Sequence, residues 1–186
     1  MSSKKKIQKN KIRKKIKSIW ISNILTRKVV LSFNHVGNNI RTNIQKKLEQ
    51  MLYNKCSREG YIKNKSINIL SYSSGVVEAN NVCFDVMFEC EICHPVEGQV
   101  IKCKAVNITR AGIRALYVKE EKSPITIFIA RDHHYNNDYF NKIQENDIIL
   151  IKVIGIRYEL NDENISVLGE LKPQKQAEKT KVTIID

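Results

Sequence analysis

The sequence predicts an α+β N-terminal part followed by an all-β barrel. Three observations predict this order. One helical apolar pattern follows an early β-prone run, strand-like apolar runs surround it, and from Pro95 onward the apolar residues have the two-residue period of strands. With 186 residues, of which 42% are hydrophobic, the chain is long enough for one ordinary domain or two small ones.

Positive charge is concentrated at the N-terminal end. Residues 1–48 carry 14 lysines and arginines and no acid, whereas residues 49–186 carry 18 basic and 19 acidic residues. We expect residues 1–17 to form a disordered basic arm that is drawn to nucleic acid, or that acts only as a solubilising or targeting tail. No apolar run has the length of a membrane span or follows the basic residues as in a secretory signal, which predicts an intracellular protein without a membrane partner.

The N-terminal part combines strands with one helix. Val29 to Phe33 form a β-prone run that ends in a turn, and apolar residues then recur at helical spacing from Ile40 to Leu52. Asn38 or Asn39 can cap this helix with its side chain. Further strands are predicted over 60–62, 67–70 and 82–92. Together these elements predict a small antiparallel sheet with one helix, over residues 18–93.

The stretch FECEICHP, residues 88–95, has the spacing of a haem attachment site, a redox pair or half a zinc site. Side chains alternate along a strand, so Cys90 and Cys93 are predicted to point to opposite faces and to share neither a metal nor a disulfide. A zinc site would also need a second pair of ligands. We therefore expect no metal and no cofactor, with Cys90 and Cys103 in a core and with Cys83 and Cys93 at a sheet face or edge.

The C-terminal part is predicted to contain five strands. They are predicted over 98–106, 112–118, 125–129, 148–156 and 165–171, with a helical or irregular insertion around 135–143. Five strands with a connector between the third and the fourth are typical of an OB barrel, a fold that binds single-stranded nucleic acid on one face. The barrel is predicted over 94–172, and residues 173–186 are predicted to form a C-terminal tail.

Four stretches in this order carry a resemblance to a known family: ILTRKVVLSFNHVGNNIRTNIQKKL, KCSREGYI, VCFDVMFECEICHPVEGQVIKCKAVNITRAGIRALYV and DIILIKVIGIRYELNDENISVLGEL. The chain resembles the stalk subunit of multisubunit DNA-directed RNA polymerases of the eukaryotic and archaeal type, which pairs a tip domain with an S1-like OB barrel. The resemblance spans residues 21–171. Its strongest piece is FDVMFECEICHPVEGQV, where a long strand leaves the tip domain and continues into the barrel.

The resemblance implies a non-catalytic subunit that acts in transcription. Its tip domain would dock on the largest polymerase subunits at the base of the clamp, and its barrel would lie near emerging single-stranded RNA. Whether a small helical stalk partner is also present is left open. The family has a glycine-containing tip loop where this chain has the shorter segment 72–80. The expected docking residues are Asn38, Asn39, Ser74, Gly75 and Val76.

The predicted barrel also supplies candidates for RNA binding. Phosphates require a positive groove, and bases stack on aromatic side chains. Lys102 and Lys104 alternate with buried positions, and Phe128 is out of phase with its isoleucine neighbours, so all three are predicted to face outward. The predicted RNA-binding residues are Lys102, Lys104, Arg114, Phe128, Arg131, His133, Lys152, Arg157 and Tyr158. Each basic residue is alternatively a solvated surface charge, and His133 and His134 are expected to be exposed.

Enzymatic activity is not expected, because the sequence has no GxxxxGK loop, GxSxG elbow or HExxH helix. Two other hypotheses stay open. One is a free-standing S1-like RNA-binding factor of translation or RNA decay, and the other is a small metalloprotein that uses Cys90, Cys93 and His94. Lysine, asparagine and isoleucine are abundant and have AT-rich codons, which suggests a large DNA virus as the source. We expect the protein in a cytoplasmic virus factory and virion if it is viral, and otherwise in the nucleus.

Overall fold

The computed structural model describes residues 18–37, 39–120 and 122–172. They form an N-terminal six-stranded sheet that carries one helix, and a C-terminal closed barrel of five strands. The predicted arm over 1–17 and the predicted tail over 173–186 lie outside the described residues. In the described ranges, no helix combines the length and the hydrophobicity that crossing a membrane requires.

The N-terminal sheet is built around its last strand. Its elements are β1 (Trp20–Ser32), α1 (Ile40–Leu52), β2 (Cys56–Ser57), β3 (Gly60–Ile62), β4 (Asn68–Tyr72), β5 (Val76–Glu78) and β6 (Asn81–Cys93), with a 3₁₀ turn at Phe33–His35. β1 pairs antiparallel with one side of β6 along its whole length. β5, β4 and β3 pair in succession with the other side, and β2 extends the sheet from β3.

Helix α1 begins at Ile40, the first residue of the predicted helical pattern. Ile44, Leu48 and Leu52 repeat every fourth residue and are buried against the sheet. Burying one such side chain stabilises the fold by roughly 1.5–3 kcal/mol. The prediction that an asparagine side chain caps this helix is wrong for Asn39. This residue occupies the N-cap position but its side chain makes no capping hydrogen bond, because its backbone is not in the extended conformation of a capping residue.

β1 is much longer than predicted, since it begins at Trp20 and not at Val29. It pairs with β6 in unbroken register from the Trp20–Cys93 pair to the Ser32–Asn81 pair. The first half of β1 is mostly exposed and has no alternating apolar pattern. Backbone pairing with β6 therefore extends this strand where side-chain alternation gives no signal.

β6 contributes to two hydrophobic cores. One face packs on α1 with five buried side chains, as the alternation predicts: Phe84, Val86, Phe88, Cys90 and Ile92. The opposite face ends in Cys93, which is fully buried in the cluster that fills the barrel. Cys93 is expected at a sheet face or edge, and it does lie on a sheet face, but the barrel covers this end of the face and buries the side chain.

A glycine allows β3 to approach β6 closely. Gly60 has φ +130°, and a Cβ atom at this position would lie 2.5 Å from the carbonyl oxygen of Cys93. A side chain there would combine steric overlap with a backbone conformation that favours glycine. Tyr61, the next residue, pairs with Cys93 and turns its ring toward the barrel cluster.

The C-terminal part is a closed barrel. Its strands are β7 (Val100–Ile108), β8 (Gly112–Tyr117), β9 (Ile125–Ala130), β10 (Ile148–Arg157) and β11 (Ile165–Lys172). They pair in the order β7, β8, β9, β11, β10, and β10 pairs with β7 to close the ring. β9 and β11 run parallel, and the other pairs are antiparallel. The prediction of a five-stranded barrel is confirmed, and the barrel fits an OB fold.

The insertion between β9 and β10 consists of a 3₁₀ turn (Arg131–His134) and α2 (Asp138–Asn141). The prediction that both histidines are exposed is wrong for His134, which is buried. Its Nε2 accepts a hydrogen bond from the Leu171 amide at 2.8 Å, so Nδ1 carries the proton and donates to the Ala130 carbonyl, also at 2.8 Å. The ring also stacks on Phe140.

Direct contacts fix the barrel against the sheet. Cys56 of β2 donates its N–H to the Asp162 carbonyl at 2.8 Å, and its carbonyl accepts from the Asn161 N–H at 2.9 Å. The β10–β11 loop thus pairs with the edge of the N-terminal sheet. On another side of the junction, the Trp20 indole donates to the Glu120 carboxylate at 2.9 Å. These contacts, together with the shared strand β6, define a tightly packed junction.

Candidate nucleic-acid interface

The outer surface of the barrel presents one row of side chains around Phe128. Strand pairing places Arg114 of β8 directly opposite Phe128 of β9, and Leu168 of β11 opposite Phe128 on its other side. The row ends at Asn107 of β7, which pairs with Arg114, and at Gly155 of β10, which pairs with Leu168. The Phe128 side chain is 40% exposed, while its neighbours in sequence, Ile127 and Ile129, are fully buried. Phe128 therefore presents an aromatic surface to solvent.

A shallow apolar depression of about 300 Å³ adjoins this ring. Its lining includes Phe128, Gly155, Ile156, Leu168 and Arg157. The Arg157 guanidinium also lies 3.4 Å from the exposed Glu159 carboxylate. Gly112 supports the ring from the other side, since a Cβ atom there would lie 3.0 Å from the Phe128 ring and 2.3 Å from the Ile129 carbonyl oxygen. The arrangement provides a flat apolar platform with arginine on two sides, which suits a stacked base and its phosphates.

Two further predicted residues continue this face onto β7. Lys104 pairs with Leu116, two residues along β8 from Arg114 on the same outer surface, and Lys102 follows on the same strand. Both lysines are exposed, and neither forms an ion pair within the described residues. Lys152 lies on β10, opposite Glu170 and two residues from Leu150, the strand partner of Lys102. One continuous surface, which we call the barrel face, is therefore formed by Lys102, Lys104, Arg114 and Phe128.

Three other predicted RNA-binding residues have different surroundings. The Arg131 guanidinium donates to the Arg110 carbonyl at 2.8 Å and lies over the Phe140 ring. The Tyr158 hydroxyl donates to the Arg58 carbonyl at 3.2 Å and lies at the junction beside the His94 ring. His133 is exposed on the 3₁₀ turn. The structure thus gives Arg131 and Tyr158 intramolecular partners instead of an open position on the barrel face.

The expected docking residues that the structure describes lie at the end of the sheet that is remote from the barrel. Asn39 is exposed at the start of α1, and Asn38 lies outside the described residues. Ser74 and Gly75 form the β4–β5 connection, where a Cβ atom on Gly75 would approach the Val82 side chain to 2.5 Å. Val76, the first residue of β5, is 59% exposed. These positions combine a closely packed turn with an exposed apolar side chain.

Two features of the surface were missed from the sequence. The first is the apolar floor beside Phe128, formed by Ile156 and Leu168, which only the pairing of β10 with β11 brings to Phe128. The second is a basic cleft beside α1, which includes Lys46 and Lys47. The helical spacing placed both lysines outside the apolar stripe, but it gave no signal that they face a cleft.

The prediction that Cys90 and Cys93 point to opposite faces is confirmed. Cys90 belongs to the core under α1, whereas Cys93 belongs to the barrel-side core, so the two sulfurs cannot converge on one ion. Burial raises the pKa of the Cys90 thiol to about 11 and that of the Cys93 thiol to about 12. His94 contacts the Tyr158 hydroxyl. A metal site that uses Cys90 and Cys93 together, as the metalloprotein hypothesis requires, is therefore excluded by their positions.

Comparison with known proteins gives a similarity to a viral protein. The searched protein-family models do not match the chain. The chain is 25% identical over 171 residues to a protein of Acanthamoeba polyphaga mimivirus that is named "Putative DNA-directed RNA polymerase subunit". The match covers 83% of this chain and 82% of the viral protein. A match of this extent includes residues of both the sheet and the barrel.

The buried thiols predict slow chemical modification. With pKa values of about 11 for Cys56 and about 12 for Cys103, and with Cys90 and Cys93 in the same range, the thiolate fraction at pH 8 is roughly one in a thousand or less. We expect an aromatic disulfide reagent to modify these four thiols at least roughly a hundredfold more slowly in the native protein than in the unfolded protein.

The measurement is the absorbance of the released thiolate, with all five cysteines reacting in guanidinium chloride. A Val96→Cys variant serves as the control, because Val96 is 52% exposed and its thiol should react rapidly without unfolding. Fast reaction of any of the four core thiols (Cys56, Cys90, Cys93 and Cys103) in the native parent protein, at the rate of this control, would contradict the packing of the two cores.

Proposed function

We propose that this chain is a non-catalytic stalk subunit of a DNA-directed RNA polymerase. One observation carries the proposal: the similarity to the viral protein named as a polymerase subunit extends over most of both chains. This similarity supports a role in DNA-directed RNA polymerase. The fold agrees with the proposal, since an α-helix-bearing sheet is followed by a closed barrel that fits an OB fold.

In this proposal the two parts have different roles. Residues 18–93 form the tip domain that docks on the large polymerase subunits, through Asn38, Asn39, Ser74, Gly75 and Val76. Residues 94–172 form the S1-like barrel that contacts emerging single-stranded RNA. The packed junction between β2 and the β10–β11 loop supports this division of labour, because it holds the barrel at a set orientation to the docking surface. A small helical stalk partner remains compatible with this arrangement.

RNA binding is assigned to the barrel face in this proposal. Phe128 stacks on one base, and the flanking Arg114 and Arg157 neutralise adjacent phosphates, with Lys102 and Lys104 extending the positive track. One stacked base is worth about 1–3 kcal/mol. Phosphate contacts are independent of sequence and weaken as salt rises. Binding of RNA is therefore weak, salt-dependent and largely independent of the RNA sequence.

The proposed place of action depends on the source of the chain. The similar protein belongs to a virus. If this chain is viral as well, its place of action is the virus factory and the virion, and transcription is viral transcription. In a cellular source, the place of action would be the nucleus.

Association with polymerase tests the docking role. We expect affinity purification of the full chain from its native source to recover the largest polymerase subunits, identified by mass spectrometry. Val76→Asp should reduce this recovery at least roughly fivefold, because it places a charge on an exposed apolar docking position. The matched control is Val96→Asp, at a similarly exposed valine near the junction. Recovery of the chain without any polymerase subunit would instead favour a free-standing RNA-binding factor.

Substitution of the aromatic platform tests the RNA-binding role. We expect Phe128→Ala to weaken binding of single-stranded RNA by roughly 5- to 150-fold, the loss that corresponds to one stacked base. Fluorescence anisotropy with a labelled oligoribonucleotide measures the change. Tyr135→Ala is the control, since Tyr135 is 83% exposed and lies outside the barrel face. Equal RNA affinity of Phe128→Ala and the parent protein, with unchanged recovery of polymerase, would remove the barrel face as the RNA site.

A further inference from the structure

β1 has one edge that is open to solvent. It pairs with β6 on one side, and within the described residues no strand pairs with its other side. In an antiparallel strand, the N–H and C=O groups of every second residue point to the same edge. The Ile24 N–H is bound by the Asn23 side chain at 2.9 Å, and the Thr26 carbonyl by the Arg27 guanidinium at 3.0 Å. The even-numbered residues of β1 therefore face the open edge.

Within the part of the chain that the structure describes, side chains bind two backbone groups in the middle of this edge, one on Ile24 and one on Thr26, and none toward its end. Lys28 and Val30 share the orientation of Ile24 and Thr26, because the register with β6 is unbroken. Among the described residues, the outward backbone groups of Lys28 and Val30 have no hydrogen-bond partner. An exposed strand edge of this kind is a template for pairing with another extended chain. The open segment is Lys28–Ser32.

A basic cleft lies beside the open segment. It measures about 480 Å³ and separates the end of β1 from α1. Its lining consists of Val30, Leu31, Ser32, His35, Asn43, Lys46, Lys47, Gln50 and Asn81. This set contains two lysines and no carboxylate, and neither Lys46 nor Lys47 forms an ion pair within the described residues. Val30 is 41% exposed and adds an apolar contact.

We propose that this cleft binds an acidic, extended segment of a partner protein. The segment adds as a further strand to β1 at Lys28–Ser32, and its carboxylates face Lys46 and Lys47. Main-chain pairing supplies affinity in this mode of recognition, and the flanking side chains supply selectivity. The proposal depends on the edge and the cleft alone, so it does not require the polymerase role.

The termini of the chain itself do not have the charge that the cleft selects. Residues 1–17 contain nine basic residues and no acid, and residues 173–186 contain three lysines against two acids. Like charges facing one another across a contact are unfavourable. An acidic partner is therefore favoured over the chain's own ends, and a second copy of the chain is treated as an outcome of the experiment.

Fluorescence anisotropy with a defined probe tests charge selection. The probe is a labelled octapeptide of alternating glutamate and valine, which suits strand pairing, and the protein is the full chain. We expect saturable binding that weakens with salt. Lys46→Glu combined with Lys47→Glu should weaken it at least roughly tenfold. The matched control, Lys119→Glu combined with Lys142→Glu, changes two exposed lysines outside the cleft by the same charge and should leave binding within about twofold.

A proline substitution tests strand addition. Val30→Pro removes the outward N–H but leaves the pairing with β6, so the variant should fold and bind the peptide at least roughly tenfold more weakly. Thr26→Pro makes the same change on the same edge outside the cleft and should bind normally. A peptide methylated on alternate backbone nitrogens measures the same hydrogen bonds without altering the protein, and should also bind at least roughly tenfold more weakly.

Several results would overturn the proposal. Absence of saturable binding would do so, as would equal binding of a lysine–valine octapeptide or of the methylated peptide. Sedimentation that shows a dimer abolished by Lys46→Glu with Lys47→Glu would identify a second copy of the chain as the occupant. Binding that falls with both cleft variants and stays unchanged in their controls is the result that the proposal requires.

Discussion

The alternation of side chains along β6 is the constraint on which the rest of the structure depends. A strand has two faces; one face of β6 lies in the core under α1, and the opposite face contributes its last residue, Cys93, to the barrel-side core. Cys90 and Ile92 lie under α1, and Cys93 lies in the barrel-side cluster. Because a shift of one residue would exchange the faces, the register of β6 fixes both cores at once.

This shared strand sets the geometry of the functional surfaces. β1 follows β6 for its whole length, so the open segment of β1 and the turn around Gly75 lie at the end remote from the barrel. The barrel meets the opposite end, where the β10–β11 loop pairs with Cys56. The barrel face around Phe128 and the cleft beside α1 thus belong to separate parts of one packed molecule. This separation agrees with the proposals that one part binds nucleic acid and the other a protein partner.

The sequence predicted the elements in which side-chain periodicity is strong. Three such features could be predicted: the alternation from Phe84 to Ile92, the helical spacing of α1 and the five barrel strands. In each of them one face is buried, so apolar residues recur at a regular spacing. The first half of β1 could not be predicted as a strand, because its backbone pairs with β6 while its mostly exposed side chains show no apolar pattern. The burial of Cys93 also escaped prediction, because its cover comes from residues that are distant in sequence.

The candidate site shows the same limit. The outward position of Phe128 followed from its phase relative to the isoleucines of β9, and its exposure agrees. The contacts of Arg131 and Tyr158 depend on carbonyl groups supplied by distant loops, which local patterns do not reveal. His134 is similar, because its partner is the Leu171 amide on another strand. Local periodicity therefore predicts which side chains point outward, but not which of them tertiary contacts then engage.

Hydrogen exchange of the backbone amides along β6 tests the shared strand most directly. If one strand serves both cores, the ladder amides from Val82 to Cys93 should exchange slowly, with similar opening free energies, because both halves are released only when the whole molecule unfolds. Mass spectrometry of overlapping peptides resolves the two halves of the strand. Fast, local exchange in the half next to the barrel, with protection kept in the half under α1, would show that the two cores open independently and would contradict the account.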